Sequence, residues 1–126
     1  MIIKKGVLTV NTIASPPVPK NLQDLLGAYP AYLTKLEWLL HHAVTHPSAG
    51  IPIFEQALWA IEEGLSSFVG DAQAELDAAR ASGDAAHVAY ADEKLKLLQR
   101  ATFKQVWMGD EELWAYFHGA SNKDVL

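Results

Sequence analysis

The sequence contains no cysteine, which excludes disulfide bonds, thiol catalysis and cysteine-ligated zinc sites. It also has no excess of basic residues, because ten Lys and Arg are outnumbered by fifteen Asp and Glu, giving a formal net charge of −5. Nucleic acid is therefore not an expected partner. No apolar run approaches the roughly 20 residues of a membrane span, and no signal-peptide pattern opens the chain. We expect a cytoplasmic protein that does not contact membranes.

Half of the 126 residues are hydrophobic and 20% are charged, which is the balance of a single globular domain. Residues 1–20 differ from the remainder, because they contain three lysines and no acid and end in a proline-rich stretch. Residues 7–13 favour a β-strand. We predict an extended N-terminal arm over residues 1–20, a helical domain over residues 21–119 and a tail over residues 120–126.

The helical period of apolar residues dominates the chain after the arm. Asn21 is expected to cap a short helical turn. Three longer helices are predicted over residues 30–46, 52–82 and 85–107, and a last short helix is expected to begin after Asp110. The fold class that follows is all-α: a small antiparallel bundle of three main helices and a short C-terminal helix, with the arm appended.

Glycines raise two questions about the second long helix. Gly70 could break it, but the apolar stripe keeps its phase across this position, so we predict one continuous helix. Gly64 belongs to a strip of small side chains with Ala57, Ala60 and Ser67, where another helix could approach closely. That helix could be the preceding one or one from a second subunit. Gly83 with Asp84 predicts a tight antiparallel connection to the third long helix.

Two tryptophans lie at helix positions outside the predicted apolar core. Trp38 is almost opposite the apolar stripe of its helix, and Trp59 lies outside the stripe of the next helix. Such residues are either interface anchors or are covered by the arm or the last helix within the monomer. Trp107 and Trp114 are predicted to lie in the core.

Histidines offer the most metal-like pattern in the chain. His41, His42 and His46 follow Glu37 with helical i, i+4 spacings. They flank opposite edges of the apolar stripe and do not converge, so we predict no metal site and no cofactor. His41 and His42 instead adjoin Trp38 and belong to its candidate contact surface.

No catalytic or phosphate-binding motif is present, and we do not expect an enzyme. Acidic residues are concentrated in residues 53–80, which contain six acidic residues and one basic residue. This segment therefore carries the whole net charge of the chain. It is either a solvated face or an electrostatic docking surface.

The function that we predict is a non-catalytic protein–protein interaction module, such as an inhibitor, an assembly factor or a chaperone-like adaptor. Its partner would be another protein or a second copy, and pairing of the arms in a homo-oligomer is the favoured form. The alternative is a helical metalloprotein or small-molecule-binding bundle that uses the histidines with Glu55 or Glu62. The candidate contact residues of the favoured module are Val7, Leu8, Val10, Ile13, Trp38, His41, His42, Glu55, Trp59 and Glu62.

Overall fold

A computed structural model describes residues 15–118 of the chain. It contains six helices: α1 (Lys20–Leu25), α2 (Pro30–Thr45), α3 (Ile53–Ser82), α4 (Ala85–Ala101), α5 (Lys104–Trp107) and α6 (Glu111–Phe117). Helix accounts for 77% of the described residues, and no strand occurs among them. The predicted all-α bundle is confirmed, while the strand proposed for residues 7–13 and the tail lie outside the described residues. No helix within residues 15–118 has both the length and the apolar character that crossing a bilayer requires.

Helix α3 is the central element of the bundle, and it runs without interruption through Gly70. Its 30 residues correspond to a length of about 45 Å at 1.5 Å per residue. The side of Gly70 is open, since a Cβ atom placed there would meet nothing within 4 Å. The prediction of one continuous helix is confirmed. Its buried face consists of Ala57, Ile61, Gly64, Leu65, Phe68, Ala72, Leu76 and Ala79.

The connection between α3 and α4 is as tight as the sequence predicts. Gly83 adopts the left-handed conformation with φ of 77°, and its N–H donates to the carbonyls of Ala79 and Arg80. The Asp84 carboxylate then accepts hydrogen bonds from the N–H groups of Ala86 and His87, which caps α4. The two helices therefore pack as an antiparallel hairpin.

Helix α2 packs against the strip of small side chains on α3. A Cβ atom at Gly64 would lie 2.8 Å from Leu39 Cδ1 and 3.0 Å from Leu36 Cδ2. The close approach that glycine permits is thus used by the preceding helix of the same chain. Ser67, at the end of the strip, is exposed.

The predicted helix over residues 85–107 is wrong in one respect, because it breaks after Ala101. The Thr102 hydroxyl donates to the Gln99 carbonyl at 2.6 Å, and Phe103 is extended before α5 begins at Lys104. A hydroxyl that bonds to the preceding turn competes with the helical pattern of backbone hydrogen bonds. Trp107 follows the break and lies in the core, where only 1% of its surface is exposed.

Helix α1, near the start of the described chain, contacts residues near its end. The helix begins two residues earlier than predicted, at Lys20 after Pro19, so Asn21 is not its cap. Pro19 has a fixed backbone torsion that suits the position before the helix. Asn21 instead donates from its side chain to the Val106 carbonyl at 2.7 Å, and the Lys20 N–H donates to Asp110 at 2.9 Å. These two hydrogen bonds clasp the start of the bundle to its end.

Candidate interaction surface

Trp38, His42 and His46 form a stack of rings on α2, and Trp59 of α3 lines a groove that His42 also lines. We call these four residues the indole surface: Trp38, His42, His46 and Trp59. The Trp38 and His42 rings stack at 5.0 Å between centroids, and His42 stacks on His46 at 4.4 Å. Successive four-residue steps on α2 place these rings above one another. Trp38 is 56% exposed and Trp59 is 48% exposed.

A groove lies between α2 and α3, beside the stacked rings of Trp38 and His42. It has a volume of about 240 Å³, and both His42 and Trp59 line it. Most of the remaining wall is apolar, from Leu39, Ala43, Ile51 and Ala60, while Ser48, Gln56 and Glu63 supply its polar atoms. The groove therefore combines apolar walls with one carboxylate, a composition typical of a site for an apolar segment with a basic group.

The Gln56 side chain holds the connection that closes one end of the groove. Its amide oxygen accepts from the Ser48 N–H at 2.8 Å, and its amide nitrogen donates to the carbonyls of Ser48 and Ile51. One side chain thus satisfies three backbone groups of the connection between α2 and α3. The wall formed by Ile51 is fixed to the first turns of α3.

Charged groups surround the indole surface unevenly. The Lys35 ammonium lies 5.5 Å from the centre of the Trp38 ring, within the range of a cation–π contact. Glu62 forms an ion pair with Lys104 at 2.9 Å, away from the groove. Glu55 is exposed in the first turn of α3. Of the predicted acidic contacts, neither Glu55 nor Glu62 lines the groove, and Glu63 is the carboxylate that does.

His41 lies on the other flank of α2 from the groove. Its Nδ1 atom is 2.9 Å from the Ser15 hydroxyl. A concavity of about 490 Å³ separates the proline-rich segment from α2, with Leu33 and Glu37 in its wall. The structure therefore brings Trp38, His42 and Trp59 together and places His41 beside the point where the described chain begins. Val7, Leu8, Val10 and Ile13 lie outside the described residues.

A further cluster, which the sequence did not reveal, holds the ammonium group of Lys94. We call it the tyrosine–lysine cluster: Tyr29, Tyr32, Glu75, Tyr90 and Lys94. Lys94 Nζ lies 2.9 Å from Glu75 Oε1, and its distances to the three ring centres are 5.3, 5.3 and 5.9 Å. The Lys94 side chain is 15% exposed. The cluster joins the start of α2 to both α3 and α4.

The charges in the tyrosine–lysine cluster shift one another's titration. The hydrogen bond from Lys94 lowers the pKa of Glu75, against the opposing effect of burial. Burial alone would lower the pKa of Lys94, but the hydrogen bonds to Glu75 and Tyr32 outweigh it and raise the pKa. Burial raises the pKa of Tyr29, and the neighbouring Tyr90 adds to this effect. The ionised pair is thus the favoured form at neutral pH.

The residues named in the metal-site hypothesis have other contacts among residues 15–118. His42 and His46 stack face to face, and the His46 ring nitrogen lies 3.0 Å from the Thr45 hydroxyl. Within residues 15–118, no group of three or more histidine, aspartate or glutamate side chains is placed to hold a metal ion. Glu62, one of the two carboxylates in that hypothesis, is paired with Lys104 instead.

A third sequence prediction is wrong, because Trp114 is 52% exposed and not part of the core. Its ring stacks on His118 at 4.2 Å, and His118 in turn contacts Phe54 edge-on at 5.0 Å. Helix α6 is short and buries Leu113 instead, so Trp114 falls on its outer side. Periodicity over seven residues could not decide which of the apolar residues faces inward.

No protein-family model, curated protein or solved structure matches this chain. Its own residues and their geometry therefore support the functional inference.

Proposed function

We propose that this protein is a non-catalytic helical interaction module that binds a protein partner or a second copy through the indole surface. One observation carries the proposal: two half-exposed tryptophans come from different helices, Trp38 stacks on His42, and His42 and Trp59 line the same groove. Tryptophan is enriched among the residues that dominate binding energy at protein interfaces. The proposed compartment is the cytoplasm, as expected for a chain without cysteine.

The area of the two indoles is large enough to matter for affinity. A tryptophan side chain buries on the order of 200 Å² when fully covered, so half of each represents about 100 Å² still open to water. At about 25 cal/mol per Å², covering both would contribute about 5 kcal/mol before the entropic cost of association. Because association itself costs about 4 to 15 kcal/mol, the indoles contribute a large part of the binding energy but need further contacts across the interface.

The acidic face and the arm complete the proposed contact. Glu55 is free to meet a basic partner, whereas Glu62 would have to exchange its ion pair with Lys104. Exposed ion pairs contribute only about 0 to 1 kcal/mol each, so they orient the partner more than they hold it. Val7, Leu8, Val10 and Ile13 are proposed as apolar contacts of the arm, and pairing between arms is the proposed route to a homo-oligomer.

The experiment compares the double variant Trp38→Ala, Trp59→Ala with the single variant Trp114→Ala as the control. Trp114 has similar exposure on a different surface, so it reports the effect of removing an exposed indole as such. Self-association is measured by sedimentation equilibrium, and binding partners by cross-linking in the native host with mass spectrometry of the linked residues. We expect the double variant to weaken the association by about 30-fold or more, as for residues that contribute about 2 kcal/mol.

The control variant is expected to retain the association. Equal weakening of the association in both variants would show that exposed indoles bind nonspecifically. If neither method detects any association of the wild-type protein, the proposed function is wrong.

A further inference from the structure

We infer that a second copy of this chain docks on the indole surface with two-fold symmetry. Trp38 of each copy enters the groove of the other, and Lys35 of each copy meets Glu63 of the other. This inference rests on the proposed function and deepens it, because it selects a second copy from the two kinds of partner named there. It depends on the size of the groove, on the side chain beside it and on the distribution of charge.

The groove suits one large side chain better than a small-molecule ligand. Its volume of about 240 Å³ is below the roughly 300 to 1,000 Å³ of typical small-molecule sites. Its walls are mainly apolar, and they include the half-exposed ring of Trp59. An indole that packed against Trp59 would bury apolar surface of both rings. The occupant that fits is therefore an aromatic side chain of another protein molecule.

Trp38 is such a side chain, and it lies next to the groove. Its ring is 56% exposed and does not line the groove, but it stacks at 5.0 Å on His42, which does. In a two-fold interface, a feature of one copy meets its receptor on the other copy, and the reverse contact forms as well. A half-turn about an axis between Trp38 and the groove would thus place each Trp38 in the groove of the other copy.

The distribution of charge favours a second copy as the source of this indole. Lys35 lies 5.5 Å from the centre of the Trp38 ring and is the only lysine or arginine between Lys20 and Arg80. Glu63 is exposed and lines the groove. Among residues 15–118, neither Lys35 nor Glu63 belongs to an ion pair. Docking of Trp38 would bring Lys35 to Glu63 of the other copy, and the symmetry forms this contact twice.

The indoles alone do not make a complete interface. Four half-exposed indoles, at about 100 Å² each, supply about 400 Å², which is a third of the roughly 1,200 Å² buried in the smaller specific interfaces. Each copy also carries a net charge of −5, so two copies repel each other in general. Both effects predict a weak, reversible dimer whose register depends on the two contacts between Lys35 and Glu63.

Charge reversal in the full-length protein tests this register. Lys35→Glu places two carboxylates opposite each other at both contacts, and Glu63→Lys places two ammonium groups there. We expect each variant alone to weaken self-association by about 10-fold or more, measured by sedimentation equilibrium. An equimolar mixture of the two variants restores a pair of opposite charges at both contacts, and so does the double variant. Both should associate about as tightly as the wild type.

Net charge provides two controls. Glu63→Lys makes each copy less negative, so general repulsion alone would strengthen the association, whereas reciprocal docking predicts that it weakens. Lys96→Glu changes the net charge by the same amount as Lys35→Glu, but at an exposed position on α4, so it should have the smaller effect. Circular dichroism checks that every variant retains its helices.

Self-association that is insensitive to both reversals, as pairing of the arms alone would give, would overturn the inference. A mixture that associates no more tightly than the single variants, or a wild-type protein that stays monomeric at high concentration, would do the same. The proposed function fails separately. A different protein that cross-links to the indole surface of a monomeric wild type would support that function and refute docking of a second copy.

Discussion

Replacing Lys94 by methionine measures how much the tyrosine–lysine cluster contributes to stability. Methionine retains most of the aliphatic stem of lysine and removes only the ammonium group. The lost interactions are a charged hydrogen bond of 2.9 Å to Glu75 and contacts with Tyr29, Tyr32 and Tyr90 at 5.3 to 5.9 Å. Charged hydrogen bonds contribute about 1.5 to 3 kcal/mol, and cation–π contacts about 0.5 to 2 kcal/mol.

The net effect is smaller than the sum of these terms. Glu75 retains 29% of its side-chain exposure, so water compensates part of its charge, and His87 remains 3.6 Å away. Burying lysine also carries a desolvation cost that methionine avoids. We therefore expect Lys94→Met to lower the free energy of unfolding by about 2 kcal/mol, which shifts the urea midpoint by about 1 M.

Lys96 provides the matched control on the same helix. It forms an ion pair with Asp92 at the same distance of 2.9 Å, but its side chain is 67% exposed. Lys96→Met should change the free energy of unfolding by about 0.5 kcal/mol or less. Urea denaturation followed by circular dichroism compares the two variants. Equal shifts of the midpoint would refute the reasoning, because they would show that burial and the tyrosine rings add nothing to the pair.

Three further predictions concern stability and use the same denaturation assay. Gly64→Ala should destabilise the protein by about 1 kcal/mol despite the better helix propensity of alanine, because the added Cβ would overlap buried Leu36, whereas Gly70→Ala should stabilise it by about 0.5 to 1 kcal/mol; the same sign for both would contradict the packing of α2. Asp84→Ala should lower the free energy of unfolding by about 1 kcal/mol, because α4 loses its N-terminal cap. An unchanged urea midpoint would show that the two capping hydrogen bonds do not contribute to stability. The pKa of Glu75 is lowered in the folded state, so the ionised carboxylate stabilises the fold. This stabilisation is complete above the ordinary pKa of 4.5 and is lost as the pH falls through the lower pKa of the folded state. The difference in free energy between wild type and Glu75→Gln should therefore shrink on acidification below pH 4.5, and a difference that grows there would reverse the assigned shift.

The parts of the fold that depend on local patterns could be predicted from the sequence. The continuity of α3 through Gly70 follows from an apolar stripe that keeps its phase, and the hairpin at Gly83 follows from a glycine next to an aspartate cap. The break after Ala101 could not be predicted in the same way. No glycine or proline marks it, and the threonine whose hydroxyl bonds to the Gln99 carbonyl there gives no comparable signal in the sequence.

The same distinction applies to the candidate site, where features that depend on one helix could be predicted and features that depend on packing could not. The helical wheel placed Trp38 and Trp59 outside their apolar stripes, but it left open whether another segment covers them; in the structure both are about half exposed. The grouping of Glu75 and Lys94 with three tyrosines could not be predicted, because these residues come from different elements and meet only when α2, α3 and α4 have packed.

The clasp between Asn21 and Val106 has a consequence for the order of folding. Helices α2, α3 and α4 follow one another through short connections, so their contacts join residues that are near in sequence and form rapidly. The clasp instead spans 85 residues, and the neighbouring hydrogen bond from Lys20 to Asp110 spans 90. Closing such a loop is entropically costly until the intervening helices are in place. The ends should therefore join last and open first, so that the amides of α1 and α5 exchange with solvent before those in the middle of α3.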